Sequence, residues 1–240
     1  MSVESSSRDT AARSLGTPRK IAPRQVLADH VYDELLVSLI DGSLQAGDAL
    51  NMDALARQLE VSQTPIREAL ARLEATGMVR RTALKGYRVA PLFSTEEIVE
   101  LMDARLVLEP VNAFLSCERV SDDLVAELQQ SITDLATSPR GPSFSNFRAY
   151  WEADERFHRL IAENAHNRFL FAAYNSLGGQ VQRFRLFGGL GVTDADHAIR
   201  EHTLILEAFA DGDAEKAREM MVHHLKGVKS RSVNERIARE

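Results

Sequence analysis

One cysteine, Cys117, among 240 residues leaves no partner for an internal disulfide, which excludes a disulfide framework. No uninterrupted apolar run approaches the roughly 20 residues that a membrane-spanning helix needs, which sets membrane insertion aside. The opening stretch MSVESSSRDTAARSLG lacks the apolar core of a secretory signal, so a cytoplasmic location is expected. No internal repeat is visible. Positive charge is also in deficit, with a net charge of −6 that would speak against a nucleic-acid partner. The deficit is uneven, however. Residues 1–90 carry 12 Lys and Arg against 11 Asp and Glu, residues 91–240 carry 17 against 24, and residues 62–88 carry 6 against 2. A local cationic surface suffices to hold phosphates, and an acidic remainder discourages nonspecific binding elsewhere.

What the chain does have is apolar material, at 44% of its residues, enough for one large domain or two modest ones. Residues 1–22 are rich in Ser, Thr, Ala and Arg without periodicity and read as a tail. From Val26, residues Leu27, Val31, Leu35, Leu36 and Ile40 keep helical spacing until DGSLQAGD breaks it. A second helix takes Asn51 as its cap and runs to Leu59. After a turn at Glu60 and Val61, a third begins at VSQTPIREAL and continues to Thr76. Ser62 is placed to cap it, and Pro65 is tolerated in a first turn, where the missing amide hydrogen is not needed. Met78-Val79 and Tyr87 to Val89 then read as short strands around a loop containing Gly86.

Two helices across a tight turn, followed by a hairpin, make a winged helix-turn-helix over residues 23–92, whose second helix is shaped for the major groove. Gln63, Thr64 and Arg67 are the candidates for base readout, because Arg pairs in bidentate fashion with guanine and Gln with adenine. Leu55, Ala56, Val61, Ile66 and Leu70 lock the helices together. Arg72 joins Arg80, Arg81, Lys85 and Arg88 in the cationic segment, and Gly86 lets the backbone lie close against phosphate or a minor groove. GSLQAGDALNMDALARQLEVSQTPIREALARLEATGMVRR followed by GYRV resembles the N-terminal domain of the GntR family of bacterial transcription regulators. The common family form has Arg after the Ser of VS-x-T-P, where this chain has Gln63; Arg67 matches.

Ser94 and Glu97 form a capping box that opens the next helix, and everything beyond reads as helical. Breaks at CERVSDD, TSPRGPS, NAHN, GGLGVTDAD and ADGD delimit helices near 95–117, 121–137, 144–164, 168–188, 194–210 and 213–231. The chain is therefore expected to be mainly α, with the winged unit followed by an all-α six-helix bundle over 93–232 and a tail over 233–240.

In the helix over 144–164 the apolar face of Phe147, Tyr150, Trp151, Phe157, Ile161 and Ala162 includes Asp154 and His158. Four residues apart, these two could share a metal ion or form a buried Asp–His hydrogen bond. His202 lies on the stripe of Ile199, Ile205, Leu206 and Phe209, and His224 on that of Ala217, Met220, Met221 and Val228, whereas His223 falls on the side of Lys216 and Glu219. DERFH, then EHTLILEAFADGDAEKA, then MVHHL is similar to the FCD effector-binding domain of the FadR subgroup of the GntR family, in its shorter, VanR-like branch. That resemblance implies a divalent metal, commonly zinc, on Asp154, His158, His202 and His224, with a small organic acid bound beside it. Arg105, with Glu109 and Asn112 on one side of its helix, matches the family's R-x-x-x-E pattern. It reads either as a clamp for an effector carboxylate or as an ordinary Arg–Glu pair one turn apart; Arg183 and Arg185 are further candidates.

The reading is a homodimeric regulator, a repressor of a palindromic double-stranded operator, whose DNA binding a small carboxylate modulates. A metal-dependent hydrolase with a DNA-targeting domain is the alternative, since three His and one Asp around an ion also occur in enzymes. A helical domain whose histidines merely fill a core is the third.

Overall fold

The computed structural model describes residues 24–139, 144–187 and 194–238. The expected tail over 1–22 and the side chain of Arg185 lie outside them.

Helix α1 (Arg24–Ile40) buries Val31, Leu35, Leu36 and Leu39 on one face. Helix α2 (Met52–Gln58) follows, with the Asn51 side chain accepting from the amides of Asp53 and Ala54 at 2.9 and 3.0 Å. Helix α3 (Gln63–Ala75) begins at Ser62, whose backbone is extended as an N-cap requires; its side chain makes no capping hydrogen bond, which corrects the reason for its place. The turn between α2 and α3 holds Glu60 at φ +53, a region that costs an L-residue about 1–2 kcal/mol. The backbone turn closes all the same, through the Val61 amide donating to the Ala56 carbonyl at 3.0 Å.

Strands β2 (Val79–Thr82) and β3 (Gly86–Val89) form the hairpin, two residues longer on β2 than the apolar pattern suggests. A third strand that the sequence did not disclose, β1 (Ala49–Leu50), pairs antiparallel with β3, Ala49 opposite Arg88 and Leu50 opposite Tyr87, giving the order β1-β3-β2. The buried face of α3 (Ile66, Ala69, Leu70, Leu73) meets Val79, Tyr87 and Val89 in one core with α1, so the hairpin is fixed beside α3.

The second unit holds α4 (Thr95–Cys117), α5 (Asp122–Thr137), α6 (Phe144–Asn164), α7 (Arg168–Phe187), α8 (Ala195–Ala210) and α9 (Ala214–Ile237). The capping box at α4 is formed as expected, Glu97 amide to Ser94 hydroxyl at 3.1 Å and Ser94 amide to Glu97 carboxylate at 2.9 Å. Helix α9 runs past the expected end at 231 and takes in most of the segment read as a tail from 233. The cause is tertiary, since Val228 and Val233 pack against Ile98, Leu101 and Met102 of α4. Phe157, Ile161, Ile205, Phe209, Met221 and Leu225 form the central core between α6, α8 and α9. Among the described residues no helix is long and apolar enough to cross a membrane.

The two units touch through α6 and α7. Trp151 of α6 packs against the core of the winged unit, and Arg148 lies 2.9 Å from Asp33 of α1. A Cβ at Gly179 of α7 would sit 2.7 Å from the Cα of Thr76, at the end of α3, so only glycine allows this approach. Arg183, a candidate for effector contact in the sequence, instead donates to the Pro91 carbonyl and stacks 3.9 Å over Phe93 at this junction.

Candidate functional site

On the winged unit, the amphipathic pattern of α3 turns Gln63, Thr64 and Arg67 to solvent while Pro65, Ile66 and Leu70 are buried. Arg67 and Thr64 thus stand on the exposed first half of the helix. Gln63 is less available than its position suggests, because its side-chain amide donates to the Asp53 carboxylate on α2. A bidentate pair with adenine would need that bond to open. Arg72 departs further from expectation. Its guanidinium lies 2.6 Å from Asp29 and 4.1 Å over the Tyr32 ring, both on α1, so it ties α3 to α1 rather than presenting itself to a phosphate. Gly86 adopts φ +74 with open space around a notional Cβ, so the turn's backbone conformation requires it.

In the helical unit the sequence-predicted residues come together from three helices. Asp154 and His158 of α6, His202 of α8 and His224 of α9 are each at most 3% exposed, whereas His223 faces solvent, as the periodicity requires. One ring nitrogen from each of His158, His202 and His224 lies within 4.8 Å of the others, and Asp154 Oδ1 is 3.8 Å from His202 Nε2. Phe157 stacks flat on His202 at 4.1 Å, which sets the plane of that ring.

Acidic groups outside the triad stand against two of the rings, and Glu201 is hydrogen-bonded to that of His224. His158 Nδ1 lies 2.8 Å from Glu109, and His224 Nδ1 lies 2.8 Å from Glu201. The opposite nitrogens, Nε2 of His158 and of His224, are buried with no hydrogen-bond partner among the described residues. A carboxylate beside Nδ1, with one nitrogen of each ring close to the other two rings, is an arrangement that favours metal-ligating imidazole. The donors therefore fit a divalent transition-metal ion. Glu201 was missed in the sequence, although its stripe with Ala198, Ile205 and Ala208 marked it as inward. Arg231 of α9 grips it at 2.8 and 2.9 Å, and Gly227 makes the room, since a Cβ there would come within 2.8 Å of both groups.

Arg105 is buried, and its guanidinium forks onto Glu109 at 2.5 and 3.2 Å. Of the two readings offered for it, the Arg–Glu pair one turn apart is present, and Glu109 also reaches His158. Burial works to raise the Glu109 carboxyl, but Arg105 and His158 outweigh it and hold the group below the usual carboxylate range. Glu201 is likewise opposed by burial yet held down at about 2 by His224 and Arg231. Burial pushes His224 down to about 4, against the opposing pull of Glu201. Further along α4, Asn112 and Ser116 are fully buried with side-chain polar atoms that have no partner among the described residues.

A pH dependence follows for the metal-free protein. The unfolded chain protonates His224 near pH 6.5 and the folded chain near 4, so the unfolded state binds the extra proton between them. Stability from this group is complete above pH 6.5 and is lost as pH falls toward 4, by about 3 kcal/mol at roughly 1.4 kcal/mol per pH unit. Thermal unfolding after chelation should show the loss in that window. An unfolding midpoint that stays flat between pH 6.5 and 4 would mean that His224 is not held neutral in the fold.

Comparison with known proteins matches residues 27–89 to the gntR family of bacterial regulatory proteins and residues 100–227 to the FCD domain. YcbG, an uncharacterized HTH-type transcriptional regulator of Bacillus subtilis (strain 168), is 29% identical over 220 residues, covering 87% of this chain and 91% of its own. The "Probable D-xylose utilization operon transcriptional repressor" of Paenarthrobacter nicotinovorans is 28% identical over 202 residues, covering 84% and 87%. The solved structure of E. coli McbR/YncC shares the fold at a TM-score of 0.65 and 21% identity, over 87% of this chain and 97% of that one.

Proposed function

Because the chain belongs to the GntR family of bacterial regulators and carries an FCD domain, we propose that it is a metal-containing repressor of a two-fold symmetric operator, modulated by a small organic acid. The matched families and relatives are transcription regulators, not enzymes, so the hydrolase alternative has no support. The observation that carries the switch is the double duty of α6. Asp154 and His158 stand at the site in the helical unit, while Trp151 and Arg148, one or two turns earlier, rest on the winged unit. A change felt by the ligand end of α6 thus reaches the DNA-reading unit through one rigid helix.

His158, His202, His224 and Asp154 would hold the ion, with Asp154 as the anionic ligand. Bound there, a divalent ion supplies a Lewis-acidic anchor for a carboxylate oxygen. Three neutral imidazoles and one carboxylate around a dication leave a single positive charge, while the Arg105–Glu109 and Arg231–Glu201 pairs are neutral in themselves. One uncompensated charge suits a small monoanion. Asn112 and Ser116, one and two turns beyond Glu109 on α4, carry buried polar atoms that a ligand or water reaching that stretch of the helix would satisfy. A homodimer places one α3 in each half-site, as operator symmetry requires.

The test has two stages. Duplexes are first selected from a random pool with the full-length protein. Binding to the selected duplex is then followed by fluorescence anisotropy across a panel of organic acids, with and without divalent metal. At least one acid should shift the affinity only in the presence of metal; a panel without effect in both conditions would refute the switch.

Gly179→Ala examines a second contact between the units, the one that α7 makes beside the α6 route. Its methyl group would press on the Thr76 backbone and force α7 away from the end of α3. Metal content should stay at the wild-type level, while the acid-induced change in operator affinity falls about tenfold or more, on the order of 1.4 kcal/mol of coupling. An unaltered response would place the coupling elsewhere than at this contact.

A further inference from the structure

The wing carries a feature that the regulator reading does not use. At the tip of the β2–β3 hairpin the Lys85 amide donates to the Thr82 carbonyl at 3.1 Å, closing a turn with Ala83 and Leu84 at its centre. Leu84 has φ +62, the left-handed region that such a turn reserves for glycine or asparagine at this position. Its side chain gains nothing within the fold, since the residue is 108% exposed. A bulky apolar residue held in a strained conformation, with no packing to reward it, is the mark of a group kept for a partner.

The surroundings specify that partner. Arg80, Arg81 and Lys85 flank the tip, all exposed, while Arg88, also exposed, donates to the Gly47 carbonyl at 2.9 Å, and no acidic residue occurs from Gly77 to Thr95. The hairpin shares a core with α3, so its tip stays in fixed relation to the reading helix. A cationic frame around a single apolar point complements a polyanion with an apolar interior, and duplex DNA offers its stacked bases as that interior. We propose that Leu84 is an apolar wedge that enters the minor groove beside each half-site and partly unstacks a base step, kinking the duplex, with the flanking cations on the phosphates. Flexible pyrimidine–purine steps would then be favoured at the wedge point without any base-edge contact there. This proposal rests on the DNA-reading assignment of the winged unit.

The experiment uses the full-length protein and a duplex that it selects from a random pool, labelled with donor and acceptor fluorophores at its two ends. The wild type should shorten the end-to-end distance to that of a bend of roughly 20–90°. Leu84→Gly, which relieves the turn and should melt no lower than wild type, should leave the duplex straight and bind it about tenfold more weakly. Leu84→Phe should keep the bend. A straight duplex in the wild-type complex overturns the wedge, as does an undiminished bend and affinity with Leu84→Gly, an outcome that would turn Leu84 toward a protein partner. Failure of the underlying reading looks different, because the wild type would then select no sequence, or Arg67→Ala would select the same one, and the wedge would fall with it.

Discussion

Arg67→Ala is expected to abolish sequence-selective DNA binding while leaving the thermal unfolding midpoint where it was. Arg67 is exposed on the first half of α3, and no core side chain depends on it, whereas Ile66, Ala69, Leu70 and Leu73 on the other face carry the packing. A bidentate arginine–guanine pair contributes on the order of 1–3 kcal/mol of discrimination, and a symmetric dimer would lose it twice. The combined loss corresponds to roughly 30-fold to twenty-thousand-fold in operator affinity. Footprinting on the selected duplex reads it directly, and protection at the wild-type concentration would move the reading surface away from α3. Arg72→Ala should behave differently. Its partners are Asp29 and Tyr32 of α1, so the variant should lose stability before it loses selectivity.

The second large effect is at the histidines. His224→Ala should lose stoichiometric metal at neutral pH, and His223→Ala, one residue away on the solvent face, should keep it. Outer-shell changes at metal sites typically weaken binding 10–100-fold, and removing a ligand nitrogen should exceed that. His224→Ala also strips Glu201 of a buried hydrogen bond, so lost metal could follow from a loosened fold. His224→Gln retains a polar side chain of similar reach and separates the two effects. It should fold with wild-type secondary structure and still bind no ion. Equal metal content in all of these variants and the wild type would make the inward histidines ordinary core residues.

Much of this arrangement was legible in the sequence because it depends on periodicity within one element. The breaks between helical stretches located α4 to α8 to within a residue or so, the Ser94–Glu97 spacing identified a real capping box, and helical phase separated His224 from His223. What escaped depends on chain far away. Two residues, Ala49 and Leu50, carry no alternation of their own and become a strand only because β3 offers its free edge. Arg72 looks like one more cation until α1 brings it Asp29, 43 residues away in sequence, together with Tyr32. Gln63 looks free until Asp53 at the start of α2 takes its amide. The length of α9 is set by packing against α4 rather than by any stop signal near 231. At the candidate metal centre, the inward residues could be read from the sequence, but the pairing of Glu109 with His158 and of Glu201 with His224 needed the bundle to close.

We have proposed that a divalent ion in the helical unit governs how an organic acid acts on DNA binding by the winged unit. Anisotropy of the selected duplex, titrated with an acid that shifts the affinity of the wild type, measures this most directly when the metal-loaded protein, the chelated protein and the His224→Gln variant are run side by side. The loaded wild type alone should show a shift, with the chelated protein and the variant still binding the duplex but indifferent to the acid. An equal shift in all three would contradict the proposal.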